Sequence, residues 1–342
     1  MEAALITGKE QIEFRTFAEP EPQAGAAVVR VDRCGICGTD VAAYRSGSPY
    51  APFLCGHEWT GTVLQTSSGE KHVRDGDRVV MGVPVACGQC PECRRGVAHR
   101  CAQIMALAYG IHPLTPPHGG YAPRIAVPSD SLIVVPPGLD ENAAAMVEPA
   151  TVALHAVRRR PPQLGDTAVV LGAGPIGLFA LQWAHLAGAG QVIVVEPEEA
   201  RREIATALGA ARVLAPGEEA EEWVLQSSQG LGCDVVYECA GNQAATDSAF
   251  RMLRPGGVLM LIGVSEAGVR LDPLACITKE IILDNSTAHH NHEFRITMEM
   301  MVSKRIRTDE VHSRTFGLTE LESGFECLVS GTAGKVLIDP NP

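Results

Sequence analysis

The chain has 342 residues and a mass of 36.3 kDa, and is 46% hydrophobic and 20% charged, enough to bury full cores without disulfide support. Its net charge of −12 argues against nucleic acid or an anionic membrane surface as the main partner. The start, "MEAALITGKEQIEFR", has neither a basic n-region nor an apolar h-region, so a cytoplasmic location is expected. There the eleven cysteines are read as metal ligands and buried thiols rather than disulfides.

In chain order, the first chemistry lies in "CGICGTD" (34–40) and "LCGHEWTGTV" (54–63). Cys37 offers a thiolate and His57 an imidazole, with Glu58 adjacent, while Gly35, Gly38 and Gly56 allow close backbone approach. Further on, "MVEPATVALHA" (146–156) places Glu148 just before a predicted helix. One thiolate, one imidazole and one or two carboxylates make a mixed set of the kind that holds a catalytic zinc with one open position. Asp40 is the expected partner for the His57 ring. Singly, these residues have blander roles: a small core thiol, a core histidine, a carboxylate favoured by a helix dipole. Together, and beside a second metal motif, they read as ligands.

That second motif is "CGQCPECRRGVAHRC" (87–101), in which Cys87, Cys90, Cys93 and Cys101 can converge on one ion. Four thiolates with no open position describe a closed, structural zinc site. The signal says nothing about a reaction. "YGIHPLTPPHGGYA" (109–122) is a Pro- and Gly-rich loop, where His112 and His118 either touch substrate or are solvated. "RRR" (158–160) reads as a solvated helix end.

From Thr167 to Val195 there is no charged residue, a length that would suit a membrane helix. Five glycines and a proline within it favour a buried soluble segment instead. "AVVLG" reads as a buried parallel strand, and Gly172, Gly174 and Gly177 form G-x-G-x-x-G, with Pro175 and Ile176 between them. A helix N-terminus follows and suits a pyrophosphate. "QVIVV" is the next strand and ends at Glu196, where an acid hydrogen-bonds a ribose hydroxyl and repels a 2′-phosphate. NAD is therefore expected over NADP. Arg201 and Arg202 follow: Arg201 is kept as a cofactor contact, with a solvated helix face as the plainer reading of both. "CDVVYECAG" and "GGVLMLIGV" continue the βα alternation. "APGEEAEEW" (215–223) reads as an acidic solvated face. "STAHHNHEF" (286–294) reads as a polar loop, because its histidine spacing matches no tetrahedral set.

These stretches resemble the zinc-dependent medium-chain alcohol and polyol dehydrogenases. The likeness rests on "GICGTD", "GHEWTG", the four-cysteine stretch, "VEPATVALHA", "GAGPIG" and "ECAG…LRPGG". It is strongest to the sorbitol and threonine dehydrogenase branch, where a "VEP" glutamate replaces a third-ligand cysteine. The resemblance implies an α/β architecture: a GroES-like, mostly β catalytic domain over 1–150, a Rossmann domain over 151–288, and a return to the catalytic domain over 289–342. It implies that Cys37, His57, Glu58 and Glu148 surround a catalytic zinc in the cleft, with Glu58 and Glu148 as alternative direct ligands. It also implies a homodimer or homotetramer acting on a small alcohol or ketone. The family's relay histidine, five residues after the catalytic cysteine, is Ala42 here. Thr39 keeps the hydroxyl expected nearest the substrate, with Tyr44 and Glu58 as stand-ins for the relay. The expected reaction is zinc-dependent hydride transfer between NAD and a secondary alcohol: a polyol, a cyclitol or an amino-cyclitol. The rivals are oxidation of a hydroxy amino acid, as in threonine dehydrogenase, and a non-catalytic NAD-binding zinc protein, which only the lost histidine supports.

Overall fold

The computed structural model describes every residue except Glu70, Glu266 and Pro342. Two sheets carry the architecture, and their strand directions follow from how each strand is buried. In the six-stranded sheet every pairing is parallel, in the order Arg212–Leu214, Gln191–Val195, Thr167–Leu171, Cys233–Glu238, Leu253–Leu261, Ile282–Asn285. Residues 168–171 and 192–195 are all buried, as strands covered by helices on both faces must be. The order is that of a doubly wound nucleotide-binding sheet. Its switch point lies between Thr167–Leu171 and Cys233–Glu238, where a crevice opens at the strand ends.

The uncharged stretch resolves into a strand, a glycine turn, the helix Pro175–Ala187 and a second strand. Pro175 starts the helix, where its missing N–H is harmless, and Gly188 stops it at φ +116°. Residues 177–184 of the helix are all buried, because it is wedged between the parallel sheet and the helix Val147–Arg159. Trp183 Nε1 donates to the Ala150 carbonyl at 2.8 Å across that contact. Burial from two sides explains its apolarity; among the described residues no helix is long and apolar enough to cross a membrane.

The seven-stranded sheet is antiparallel apart from one pair. Its path runs His312–Gly317, Lys335–Asp339, Ala26–Gly35, Glu58–Thr66, Arg78–Met81, Leu132–Val134, and Arg124–Pro128 joins the outer part of Ala26–Gly35. The chain's last strand thus lies against one of its first, with Leu337 opposite Gly35. That pairing brings residue 335 beside the turn carrying Cys37. It is the long-range contact on which the site depends.

Candidate active site

Cys37 stands where the strand Ala26–Gly35 ends and the helix Gly38–Ser46 begins. Asp40, three residues on, accepts the Cys37 backbone N–H at 3.1 Å and locks that corner. His57 and Glu58 follow the turn Pro52–Leu54 through Gly56, which has φ +73°. A Cβ on Gly56 would sit 2.7 Å from both Cys34 Sγ and the Tyr121 ring, so only glycine fits. The ligand atoms of Cys37, His57 and Glu58 lie within 4.8 Å of one another.

His57 Nδ1 is 2.9 Å from the Leu54 carbonyl, so it donates there and leaves Nε2 for a metal. The sequence assigned that orienting role to Asp40, whose carboxylate is 3.9 Å from the same nitrogen. Leu54 fills it because the turn folds its carbonyl back over the ring. Asp40 instead accepts the Tyr50 and Tyr121 hydroxyls, each at 2.8 Å.

Sequence reasoning missed Lys335. Its ammonium, 1% exposed, donates to Glu58 and, at 2.8 Å, to the Ile36 carbonyl. Burial alone would strip its proton; the Glu58 carboxylate reverses this and keeps it charged. A lysine inside the apolar strand "KVLID" was the available signal, since a buried ammonium demands a buried carboxylate.

Glu148 sits in the first turn of Val147–Arg159 and accepts from His289 Nε2 at 3.2 Å. It lies outside the compact set of three, though its charge helps raise the proton affinity of His57. Burial opposes a charged His57 ring, but the Cys37 thiol, hydrogen-bonded to it, and Asp40 outweigh burial and raise its pKa well above the usual value. The Cys37 thiol is itself pushed up, first by burial and then by Glu58. A thiol, an imidazole and a carboxylate crowded together form a mixed donor set that a divalent cation can satisfy by displacing the thiol and imidazole protons. The chemistry fits zinc.

The remaining histidines of 286–294 do other work. His290 packs edge-on to His99 and His155 with ring centres at 5.2 and 4.9 Å, and stacks on His292 at 5.5 Å. Buried Glu293 accepts from His155 and Arg158. The polar loop is therefore a packed junction between the four-cysteine lobe and the helix Val147–Arg159. The "RRR" end is also tied down, Arg159 and Arg160 both pairing with Asp284. His118 is buried against Phe17, and His112 accepts its own loop's Leu114 N–H.

In the lobe, the thiols of Cys87, Cys90, Cys93 and Cys101 also lie within 4.8 Å of one another. Backbone N–H groups of Ala102 and Cys93 lower the Cys90 thiol to about 6, while burial pushes Cys93 to about 12. Four thiolates cannot share that space without a cation between them, so this set fits zinc as well.

At the nucleotide cleft, Gly172 has φ +94°, and a Cβ on Gly177 would lie 1.9 Å from the Gly172 carbonyl. Around Gly174, at the N-terminus of the helix Pro175–Ala187, a Cβ would meet nothing within 4 Å, so the backbone there faces open space. Pro175 begins that helix, and Ile176 packs against the core beneath. The cleft holds about 620 Å³ and is lined by Gly172, Gly174, Glu196, Arg201, Glu221 and Arg251 among others. Glu196 accepts the Ala173 N–H at 2.5 Å and the Glu198 N–H at 3.0 Å.

Three surface readings change here. Arg201 donates to the Ala333 carbonyl at 2.8 Å and Arg202 to the Glu196 carbonyl at 2.9 Å, so neither is a merely solvated arginine. Glu221, read as part of an acidic solvated face, pairs with Arg251 at 2.5 Å inside the cleft, where the helix turns it inward. Tyr44, a candidate for the relay, packs its ring on Phe325 at 4.8 Å among Glu322, Glu326 and Glu10. Tyr50 is the tyrosine that meets Thr39, at 3.3 Å.

Comparison with known proteins agrees with this arrangement. The alcohol dehydrogenase GroES-like domain family matches residues 23–137, and the zinc-binding dehydrogenase family matches residues 175–303. The chain is 34% identical to the sorbitol dehydrogenase of Bacillus subtilis (strain 168), over 100% of this chain and 98% of that one. Among solved structures it is similar to an alcohol dehydrogenase from Thermus sp. ATN1, with a TM-score of 0.88 and 29% identity over 99% of each chain. It is also similar to a chain described as a zinc-binding dehydrogenase from Sinorhizobium meliloti 1021 bound to NADP, with a TM-score of 0.86 and 28% identity over 99% of each.

Proposed function

The chain belongs to the zinc-dependent medium-chain alcohol and polyol dehydrogenases, and from that premise we propose that it transfers hydride between a secondary alcohol and NAD. Its zinc would be held by Cys37 and His57 with Glu58 or Glu148 beside them, and a second, structural zinc by Cys87, Cys90, Cys93 and Cys101. The observation that carries this reading is the convergence of the Cys37, His57 and Glu58 donor atoms within 4.8 Å. When bound, zinc supplies a Lewis acid for the alcohol oxygen, and the nicotinamide accepts the hydride.

The chain's own residues do the rest. The Leu54 carbonyl fixes the tautomer of His57. Lys335 neutralises Glu58 and holds its carboxylate at the cluster's edge, while His289 orients the Glu148 carboxylate through a hydrogen bond. Thr39 carries its hydroxyl two residues past Cys37, in the first turn of the helix Gly38–Ser46. Gly174 leaves room for a pyrophosphate, and Glu196 disfavours a 2′-phosphate, which supports NAD. The similarity to a sorbitol dehydrogenase supports a polyol-like substrate, including cyclic and amino-bearing polyols. Exposed Leu274, Ile277 and the open edge of Ile282–Asn285 support self-association into a homodimer or homotetramer, and a cytoplasmic setting suits the free thiols.

The test is a spectrophotometric screen of polyols, cyclitols, amino-cyclitols and hydroxy amino acids with NAD(H) and NADP(H), with and without a zinc chelator. Chelator-sensitive turnover with NAD is expected. Turnover that ignores chelation, or that needs only NADP, would overturn the corresponding part.

A further inference from the structure

The hydroxyl of Thr39 is not free to point anywhere, and the group that aims it is Tyr50. Resting on the dehydrogenase reading, we propose that Tyr50 is a positioning residue that turns the Thr39 oxygen lone pairs toward the substrate hydroxyl.

The argument is one of hydrogen-bond direction. Asp40 is wholly buried, and its carboxylate is surrounded by donors: the Cys37 N–H at 3.1 Å, the Tyr121 hydroxyl at 2.8 Å and the Tyr50 hydroxyl at 2.8 Å. A phenol carries one proton. At Tyr50 that proton is committed to Asp40, so the Tyr50 oxygen is left as an acceptor. Its neighbour is Thr39 Oγ1 at 3.3 Å, and the only direction left for that contact is from Thr39 to Tyr50. Thr39 also has one hydroxyl proton. Once it faces Tyr50, the threonine oxygen has only lone pairs to offer. A substrate hydroxyl must lose a proton as the alcohol is oxidised, and an acceptor is what it needs beside it.

Tyr50 does not become an anion in this role. Burial pushes its phenol far above the usual range and the Asp40 charge pushes it further, so it stays a neutral dipole fixed at both ends. The 3.3 Å contact is long for two hydroxyls, and tightens when a substrate loads the far side of Thr39. The same geometry distinguishes Tyr50 from Tyr44. Only Tyr50 reaches both Thr39 and the carboxylate that anchors the Cys37 corner. With Ala42 where a relay histidine would stand, Tyr50 is the polar side chain that approaches Thr39 from this chain's own fold.

The test is Tyr50→Phe in the zinc-loaded protein, which keeps the ring and its packing and deletes one oxygen. Zinc content is measured first and should match wild type, while the melting temperature should fall by only the few degrees expected of one lost hydrogen bond to buried Asp40. Turnover with the best alcohol from the screen should then fall about tenfold in kcat with KM within about twofold, and the solvent deuterium isotope effect on kcat should change, because the Thr39 oxygen that accepts the hydrogen bond of the substrate hydroxyl is no longer aligned. A neutron map of the deuterium-exchanged wild type supplies a readout independent of turnover: deuterium on Tyr50 should face Asp40, and deuterium on Thr39 should face Tyr50. An unchanged kcat and isotope effect in Tyr50→Phe would overturn the proposal alone, as would a Thr39 deuterium aimed into the cleft. A wild type that turns over no alcohol with either cofactor overturns the dehydrogenase reading, and the proposal with it.

Discussion

The two cysteine-bearing clusters both gather their donor atoms closely, and by opposite means. Each gathers its ligand atoms within 4.8 Å. The lobe does so from fifteen consecutive residues, through two short helical turns, Pro91–Arg94 and Ala98–Arg100, and the positive-φ glycines Gly88 and Gly96. The mixed cluster draws on residues 37, 57 and 58, is faced by Glu148, and is balanced by a lysine from the far end of the chain. The first is a local device that closes on itself. The second is a product of the whole fold, and its donors are of three unlike kinds, with a second carboxylate close by. Closeness of donor atoms therefore says little about role; the reach in sequence and the chemical mixture say more.

That contrast breaks most visibly under paired removal of ligands. Cys37→Ala should abolish measurable turnover, a fall in kcat/KM of roughly a thousandfold or more, as expected from several kcal/mol of lost charge stabilisation. Metal analysis should show one zinc lost and one retained, with little change in melting temperature. Cys93→Ser should do the reverse: the retained zinc is the catalytic one, surviving folded protein keeps most of its kcat, and the melting temperature drops by about 5 °C or more. If Cys93→Ser abolished kcat in protein that still held its other zinc and its melting temperature, the division of labour between the clusters would be wrong.

The second test concerns the buried ion pair. Lys335→Met leaves Glu58 buried without its cation, which costs about 3–5 kcal/mol. The double variant Lys335→Met with Glu58→Gln removes both charges and should regain more than half of that loss. Urea denaturation of the zinc-free proteins reads the difference directly. No recovery in the double variant would mean that Lys335 acts through packing rather than through its charge.

How much of this was legible in sequence follows the same divide. The lobe and the nucleotide turn are local, so their spacing carried them: four cysteines for one, and strand, glycines, helix, strand and acid in order for the other. The buried helix Pro175–Ala187 was legible because glycines and a proline broke an otherwise membrane-like run. What escaped reading lies across long sequence distances. Lys335 meets Glu58 only because the final strand returns to pair with Ala26–Gly35. His289 meets Glu148 across 141 residues. Tyr50 was passed over for Tyr44 because helical proximity to Thr39 favours the nearer residue. The intervening turn instead sends Tyr44 to Phe325 and brings Tyr50 back to Thr39 and Asp40. Leu54 displaced Asp40 as the partner of His57 for a related reason: a backbone carbonyl leaves no mark in the identity of its residue.

The smallest expected effect sharpens the comparison at the third site, the cofactor cleft, where local pattern and tertiary context both contribute. Glu196 was predicted from spacing alone, yet its carboxylate is held by the Ala173 and Glu198 N–H groups, one to each oxygen. That places a fixed negative charge at the strand end without any help from ligand, in a cleft that Arg201 and Arg251 also line. Arg251 is occupied by Glu221, whose carboxyl it holds below the ordinary range, so its charge is largely spoken for. The proposed selectivity against a 2′-phosphate then rests chiefly on Glu196. Glu196→Gln removes the charge and keeps the size, and should raise the NADP-to-NAD ratio of kcat/KM by about tenfold, the scale of one hydrogen bond to a charged group. An unchanged ratio would mean that the Glu196 charge does not set the discrimination, since Arg201 and Arg251, being cations, would favour a 2′-phosphate rather than exclude it. The proposed preference for NAD would then have to come from the shape of the cleft, a product of the tertiary arrangement as the mixed cluster is, rather than from the local motif.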